Sequence, residues 1–248
     1  MLVDVHAHLH GVEDLEKTLS EAYQAGVRKI MAVSMDVKSY EKTCAIKSDL
    51  VKIYPALGIH PWNATSRLNE FEKALEKLKN VRFVGEIGLD YIYTKDPNEH
   101  ADQRKVFTAF LEACKGTDRV VNIHSTGAEE QVLAMLQTYA IKHVNIHWFD
   151  AAEQRTPLKL VPKIIDLGYY VSITPLVATS SNVRELARMV PLENLLTETD
   201  THPLVKYDEV PSAPRMVKTS VEGIASVKNY TVDEVENAIA QNFVRLVG

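Results

Sequence analysis

Short apolar runs alternate with longer amphipathic stretches from one end of the chain to the other. The runs are rich in valine and isoleucine, and most of them lack a regular alternation of apolar and polar residues. This pattern is typical of strands that are buried on both faces, as in a parallel sheet. It predicts eight strands, at residues 2–6, 29–34, 52–57, 82–87, 119–124, 143–147, 169–173 and 194–198.

The stretches between these strands predict amphipathic helices. In the first stretch, Val12, Leu15, Leu19 and Ala22 recur at the spacing of one helix face, and Gly26 follows as a C-terminal stop. Similar apolar spacing marks residues 68–78, 107–114 and 235–246. The chain therefore alternates between strand and helix along its length.

Eight strands, each followed by a helix, in 248 residues predict an α/β fold, the (β/α)8 TIM barrel. Thr231 and Glu234 have the spacing of a capping box and predict an additional C-terminal helix. No linker or shift in composition divides the chain, so a single barrel domain is expected over residues 1–248. A doubly wound sheet is the competing architecture, but no glycine-rich phosphate motif follows the first strand.

One segment departs from the alternating pattern. Residues 202–214 contain three prolines and no apolar periodicity. We expect a long loop here, lying over the mouth of the barrel.

Composition and charge narrow the class of protein. Hydrophobic residues make up 46% and charged residues 25% of the chain, as in ordinary globular proteins. The net charge of −5 argues against a globally basic nucleic-acid binder, although a metal-lined site can still handle a phosphate backbone. Cys44 and Cys114 form no CxxC pattern, and no signal peptide or membrane-spanning run is visible. These features predict a cytoplasmic protein without a membrane partner, and no obligate protein partner is evident.

Polar residues gather where the predicted strands end. In a barrel these ends converge on one face, which is where such enzymes place their active sites. A lone His-x-His pair is commonly incidental, but six such residues at strand ends favour a divalent metal site. The residues are His6 and His8 after strand 1, Glu86 at strand 4, His124 at strand 5, His147 at strand 6 and Asp200 after strand 8.

The distribution of these residues over the barrel predicts two ion positions. Strands 1 and 8 are neighbours in a closed barrel, as are strands 5 and 6, and a carboxylate has two oxygens with which to bridge. One ion is expected at His6, His8 and Asp200, a second at His124 and His147, with Glu86 between them. Two such ions can activate water for a phosphoryl displacement. Asp200 is the expected proton acceptor, whereas the choice among Zn²⁺, Mg²⁺ and Mn²⁺ stays open.

The motifs resemble the TatD family of metal-dependent hydrolases, within the amidohydrolase superfamily. The matching segments follow the family's order and spacing over nearly the whole chain. They are DVHAH at 4–8, GIHP at 58–61, VGEIGLDY at 84–91, NIHS at 122–125, IHWF at 146–149, TETD at 197–200 and NFVRL at 242–246. The resemblance implies a (β/α)8 barrel, a divalent metal centre and deoxyribonuclease activity, with DNA phosphodiester bonds cleaved by a metal-activated water. It also implies the same six metal ligands.

Residues beside these motifs are expected to contact the substrate. The resemblance places His60 at the rim of the site, where it would contact a substrate phosphate, and His202 is a second residue for that role. Trp62, Tyr91 and Trp148 flank the expected ligands and suit base stacking, although packing beneath loops is the commoner role for such residues.

Two departures from the family motifs keep an alternative open. Thr126 stands where the family commonly has arginine, a planar phosphate donor, and Asp150 adds negative charge near the mouth. The alternative is a small-molecule hydrolase of the same superfamily, acting on an ester, lactone, amide or phosphoester. A scaffold without turnover is a third possibility, against which the intact ligand set argues.

Overall fold

Eight parallel strands form a closed barrel in the computed structural model, which describes residues 1–149 and 158–248. The strands pair in chain order within two sheets, β1 to β3 and β4 to β8. Backbone hydrogen bonds close both seams: Leu57 N donates to Phe83 O at 3.0 Å, and Asp200 N donates to His6 O at 2.9 Å. The strands are β1 (Leu2–Ala7), β2 (Val27–Ala32), β3 (Lys52–Pro55), β4 (Phe83–Gly88), β5 (Val120–His124), β6 (His143–Ile146), β7 (Tyr170–Ile173) and β8 (Leu195–Thr197).

Helices connect the strands, and the predicted (β/α)8 barrel is confirmed. The capping box of Thr231 and Glu234 is present at the start of the last helix, α9, which packs against β1 and β8 as the additional C-terminal helix. The helices are α1 (Leu15–Gln24), α2 (Val37–Cys44), α3 (Phe71–Leu78), α4 (Pro97–Cys114), α5 (Glu129–Thr138), α6 (Val161–Asp166), α7 (Ser181–Met189), α8 (Val217–Lys228) and α9 (Val232–Val247).

Two apolar residues of the predicted helices lie outside them. Asp14 caps α1 by accepting a hydrogen bond from Lys17 N at 3.0 Å, so Val12 precedes the helix. Leu68 likewise precedes α3. Both side chains are partly buried against the core, which explains why they share the apolar spacing of the helices that follow them.

The segment after β8 is more ordered than the sequence predicts. The expected loop over 202–214 contains a two-stranded antiparallel hairpin, β9 (Lys206–Tyr207) and β10 (Val210–Pro211). Asp208 and Glu209 form its turn with φ angles of 49° and 64°. Two residues of positive φ are typical of a type I′ turn, but this turn lacks the Asn-Gly or Asp-Gly pair that reveals such turns in a sequence.

The apolar core is continuous from the strands to the surrounding helices. All six residues of β1 are buried, as expected for a parallel strand covered on both faces. Cys44 and Cys114 are free thiols. Within 1–149 and 158–248, no helix combines the length and the hydropathy that crossing a membrane requires.

Two glycines allow neighbouring backbone segments of the barrel to approach each other beside the predicted ligands. A Cβ atom on Gly58 would lie 2.2 Å from the backbone oxygen of Glu86. A Cβ atom on Gly88, whose φ is +149°, would lie 1.8 Å from the backbone oxygen of His124. Backbone atoms cannot rotate away as a side chain can, so both positions require glycine.

We expect Gly88→Ala to destabilise the protein far more than Gly116→Ala. Gly116 also has positive φ (+71°), but no atom lies within 4 Å of the point that a Cβ atom would occupy there, so alanine costs only about 1–2 kcal/mol of backbone strain. Alanine at position 88 adds overlap with the backbone of β5. Urea unfolding of both variants measures the difference, and equal free energies of unfolding would contradict this account.

Candidate metal centre

The six predicted ligands converge at the mouth of the barrel, together with His60. All seven side chains are almost fully buried, although each carries a ring nitrogen or a carboxylate. They come from the ends of β1, β4, β5 and β6 and from the segments that follow β3 and β8. The closed barrel therefore brings together residues up to 194 positions apart in the chain, from His6 to Asp200.

Four donor atoms form a compact first group at the end of β1. They are His6 Nε2, His8 Nε2, Glu86 Oε2 and Asp200 Oδ1. Five of their mutual separations lie between 3.3 and 3.6 Å. A tetrahedral ion with ligand bonds of about 2.0–2.1 Å holds its ligand atoms roughly 3.3–3.4 Å apart, and zinc has such bonds to nitrogen and oxygen. The spacing of this group therefore fits a small divalent cation.

A second group surrounds the other oxygen of Glu86. His124 Nδ1 lies 2.7 Å from Glu86 Oε1, and His60 Nε2 and His147 Nε2 lie 3.4 and 3.5 Å from it. The ring of His147 also stacks on that of His6, with centroids 3.5 Å apart. Glu86 thus contacts both groups, one with each carboxylate oxygen. His60, expected at the rim, lies within the second group.

Unpaired polar atoms in the first group also fit a cation. Asp200 Oδ1 is buried without a hydrogen-bond partner, although His8 Nε2 lies 3.3 Å away. A buried carboxylate oxygen without a donor is costly in a folded protein. A positive ion at the centre of the group would offset that cost.

The pKa values of the site residues reflect this crowding of carboxylates and imidazoles. Burial by itself would raise the pKa of Asp200, but the close rings of His8 and His147 hold it below its usual value. Burial would lower the pKa of His8, but Asp200 and Glu86 raise it to about 9. A proton on His8 therefore supplies part of the positive charge that the carboxylates require when no metal is bound.

Polar side chains beneath the donor atoms orient the histidine rings. Asn122 Oδ1 lies 2.8 Å from His6 Nδ1, and Glu198 Oε2 lies 3.0 Å from His147 Nδ1. Partners of this kind fix ring orientation and tautomer in metal sites. Sequence reasoning missed both residues. Each lies two positions before a predicted ligand, and strand alternation, which puts residues i and i+2 on the same face, could have revealed them.

Asp90 holds His124 from its other side. Its Oδ2 lies 3.0 Å from His124 Nε2 and accepts a hydrogen bond from Trp62 Nε1 at 2.8 Å. Its Oδ1 accepts hydrogen bonds from the backbone of Ile92 and Tyr93. One carboxylate therefore links the second donor group to two aromatic residues of the mouth.

The segment that carries Asp200 is anchored from two sides. Asp200 has a left-handed backbone with φ of 44°. The preceding Thr199 donates its backbone N–H to Asp4 Oδ1 at 3.1 Å, and its carbonyl accepts hydrogen bonds from Tyr207 at 2.8 Å and Ser212 at 2.6 Å. Strand β1 and the hairpin therefore hold the unusual backbone conformation that presents this carboxylate.

A cavity of about 240 Å³ opens above the donor groups. His202 lines it, half-buried, with its ring centroid 5.4 Å from that of His8. Trp62 and Trp148 also line it, whereas Tyr91 does not and instead stacks on His100. Asp150 lies outside the described residues. The other lining residues are His8, His60, Glu86, Tyr93, His124, Thr126, His147, Asp200, Leu204 and Val205.

Comparison with known proteins agrees with this architecture. The family model described as TatD related DNase matches residues 3–248. The human protein named deoxyribonuclease TATDN3 is 28% identical over 262 residues, which cover 99% of this chain and 94% of that protein. A protein of Escherichia coli (strain K12), described as the uncharacterized metal-dependent hydrolase YcfH, is 29% identical over 258 residues. The aligned residues cover 99% of this chain and 95% of that protein.

Solved structures extend the agreement to three dimensions. The crystal structure of YJJV, a TatD homologue from Escherichia coli K12, superposes with a TM-score of 0.83 at 26% identity, covering 99% of this chain and 97% of that one. A TatD family hydrolase from Entamoeba histolytica shares the fold, with a TM-score of 0.79 at 18% identity. On the family match over nearly its full length, the chain belongs to the TatD-related DNase family.

Proposed function

We propose that this chain is a divalent-metal-dependent hydrolase that cleaves phosphodiester bonds of DNA. The observation that carries the proposal is the position of Glu86, whose two oxygens each face a separate group of metal-donor atoms. A carboxylate placed in this way can bridge two ions. Membership in a family of DNases supports the reaction and the substrate.

The first ion would be held by His6, His8 and Asp200, and the second by His124 and His147, with Glu86 shared. Imidazole ligands suit Zn²⁺, whereas Mg²⁺ prefers oxygen ligands and retains water, and Mn²⁺ is suited by the carboxylates. Divalent ions bound there would acidify a water molecule and offset the charge that develops on phosphate oxygens.

The residues around the ions would move the proton and bind the substrate. Asp200, ionised at neutral pH, takes the proton of the attacking water and later returns it to the leaving oxygen. His202 contacts a substrate phosphate at the rim. His60 lies beside the second ion position, where its ring contacts an oxygen atom of a metal ligand or of the substrate. This role suits a neutral ring, and burial lowers the pKa of His60 to about 4.

The donor residues come from both sheets and from both ends of the chain, so we propose that residues 1–248 act as one catalytic domain. The thiols of Cys44 and Cys114 are compatible with the reducing cytoplasm expected from the sequence, and that location stays a prediction.

A small-molecule hydrolase is the second candidate function. The cavity is modest, at about 240 Å³, and within the described part of the chain its lining includes no lysine or arginine to hold a phosphate backbone. A panel of single-stranded DNA, duplex DNA and small phosphodiesters, assayed with reconstituted protein, separates the two functions. Turnover of the small substrates alone would select the second one.

We expect hydrolysis to disappear after treatment with a chelator and to return when a divalent ion is added. The physical reason is that the proposed reaction needs the acidity that the ions confer on water. Metal content by mass spectrometry, measured beside activity, tests this dependence. Full activity in protein shown to be free of metal would refute the mechanism.

Glu86→Ala should lower occupancy of both ion positions, whereas His147→Ala should mainly weaken one. The reason is that Glu86 contacts both donor groups, whereas His147 belongs to the second group and contacts Glu86 Oε1. Metal stoichiometry after dialysis against a defined concentration of Zn²⁺ measures the difference. Equal stoichiometry in the two variants would count against a bridging role for Glu86.

Asp200→Asn should reduce turnover by about 10²–10⁴-fold while largely preserving substrate binding, because the amide keeps the size of the side chain but cannot act as a base. Activity and metal content are to be measured on the same metal-replete sample. Near-normal turnover would reject the assignment of the base, and full rescue by excess metal would leave Asp200 as a ligand only.

A further inference from the structure

Two exposed aromatic side chains lie beside the metal-donor groups. Trp62 follows β3 and is 45% exposed, and Tyr93 follows β4 and is 63% exposed. Their ring centroids are 5.8 Å apart with the ring planes at 73°, an edge-to-face arrangement, and both rings line the cavity above the donor atoms. Scattered exposed aromatics are common, but two adjacent ones at the mouth of one cavity indicate a binding surface.

Hydrogen bonds hold this pair rigidly relative to the second donor group. The indole N–H of Trp62 donates to Asp90 Oδ2 at 2.8 Å, and the backbone N–H of Tyr93 donates to Asp90 Oδ1 at 2.8 Å. Asp90 Oδ2 also lies 3.0 Å from His124 Nε2. With its polar edge bonded inward, Trp62 leaves apolar ring surface exposed to the cavity. A ligand therefore meets this surface at a fixed offset from His124.

The opposite wall of the cavity is also apolar. Leu204, which is 79% exposed, and Val205 follow β8, which lies across the barrel from β4. Along the part of the lining that the structure describes, the carboxylates and every histidine except the half-buried His202 are buried at the floor. The site thus combines a floor suited to a phosphate with walls suited to a flat, apolar group.

We propose that Trp62 and Tyr93 form an aromatic shelf for the unpaired base of the nucleotide next to the scissile phosphate: the base stacks on the Trp62 ring, and Tyr93, nearly perpendicular to that ring, contacts the edge of the base. The inference rests on the proposed phosphodiesterase function. It identifies Trp62 and Tyr93 as the residues that favour a strand with bases over one without them. Inside a duplex both faces of a base are covered by the neighbouring base pairs, so the proposed occupant is an unpaired base. Stacking on an aromatic side chain accepts any base, because every base has a π-face.

The test compares two single strands of equal length, one of thymidine nucleotides and one in which every base is replaced by hydrogen. The wild-type, metal-loaded protein should show a kcat/KM about 5- to 100-fold higher for the thymidine strand, as expected for aromatic stacking. Trp62→Ala should reduce this ratio at least roughly fivefold, and Tyr93→Ala should reduce it as well. An unchanged ratio in an active Trp62→Ala protein would overturn the proposal.

Two further variants separate stacking from a general effect on folding. Trp62→Phe keeps an aromatic face but loses the hydrogen bond to Asp90, and it should retain most of the preference for the thymidine strand. Tyr230→Ala removes an exposed aromatic side chain from the connection between α8 and α9 and should behave as wild type. A ratio that falls equally in Tyr230→Ala would point to a general effect and contradict the shelf.

A binding measurement distinguishes failure of the shelf from failure of the proposed function. The chain has two tryptophans, so Trp148→Phe leaves Trp62 as the sole tryptophan reporter. In chelated Trp148→Phe protein, the thymidine strand should quench the fluorescence at lower concentration than the strand without bases. Equal responses would overturn the shelf. If the wild-type protein with metal cleaves neither strand but quenching still discriminates, the nuclease proposal fails, whereas stacking of an unpaired base on Trp62 is still supported.

Discussion

The mouth of this barrel is organised around one buried carboxylate. Glu86 is 1% exposed, and an isolated charge in such a place would cost several kcal/mol. Imidazole nitrogens surround both carboxylate oxygens of Glu86 and offset this cost. A divalent ion bound beside either oxygen would offset it further with its positive charge. Burial by itself would raise the pKa of Glu86, yet the nearby rings keep it well below its usual value. Gly58 and Gly88 serve the same arrangement, because their missing side chains allow the neighbouring backbones to come close.

A layer of polar side chains beneath the donor atoms makes this arrangement rigid. Ser172 donates to Glu198 Oε2 at 2.7 Å, and Trp148 donates its backbone N–H to Glu198 Oε1 at 2.8 Å. The same carboxylate contacts His147, so three neighbouring strands share one network. Polar groups in a barrel interior weaken the apolar core unless they are paired. Here the pairing orients the rings, which is the property that a metal centre requires.

The floor and the walls of the cavity serve different purposes. The floor consists of histidines and carboxylates, which fit divalent ions and therefore suit the hydrolysis of many phosphate or carbonyl compounds. The walls differ in chemistry, since Trp62, Tyr93 and Leu204 present apolar surface. The apolar part of the cavity is therefore supplied by the loops after β3, β4 and β8. Division between a fixed barrel and variable loops is a general property of this fold.

The sequence by itself determined the eight-stranded barrel and the six residues expected at its mouth. Strands buried on both faces leave uninterrupted apolar runs, and the polar residues that end them stand out in a linear chain. Tertiary structure alone decided other features: the hairpin with Asp208 and Glu209 in its turn, the approach of His60 to Glu86, and the link from Trp62 through Asp90 to His124. The contacts depend on distances between segments that are far apart in the chain. The hairpin turn depends on positive φ angles at residues that are not glycine, so the sequence does not reveal it. Local periodicity contains neither kind of information, because closure of the barrel sets which side chains meet.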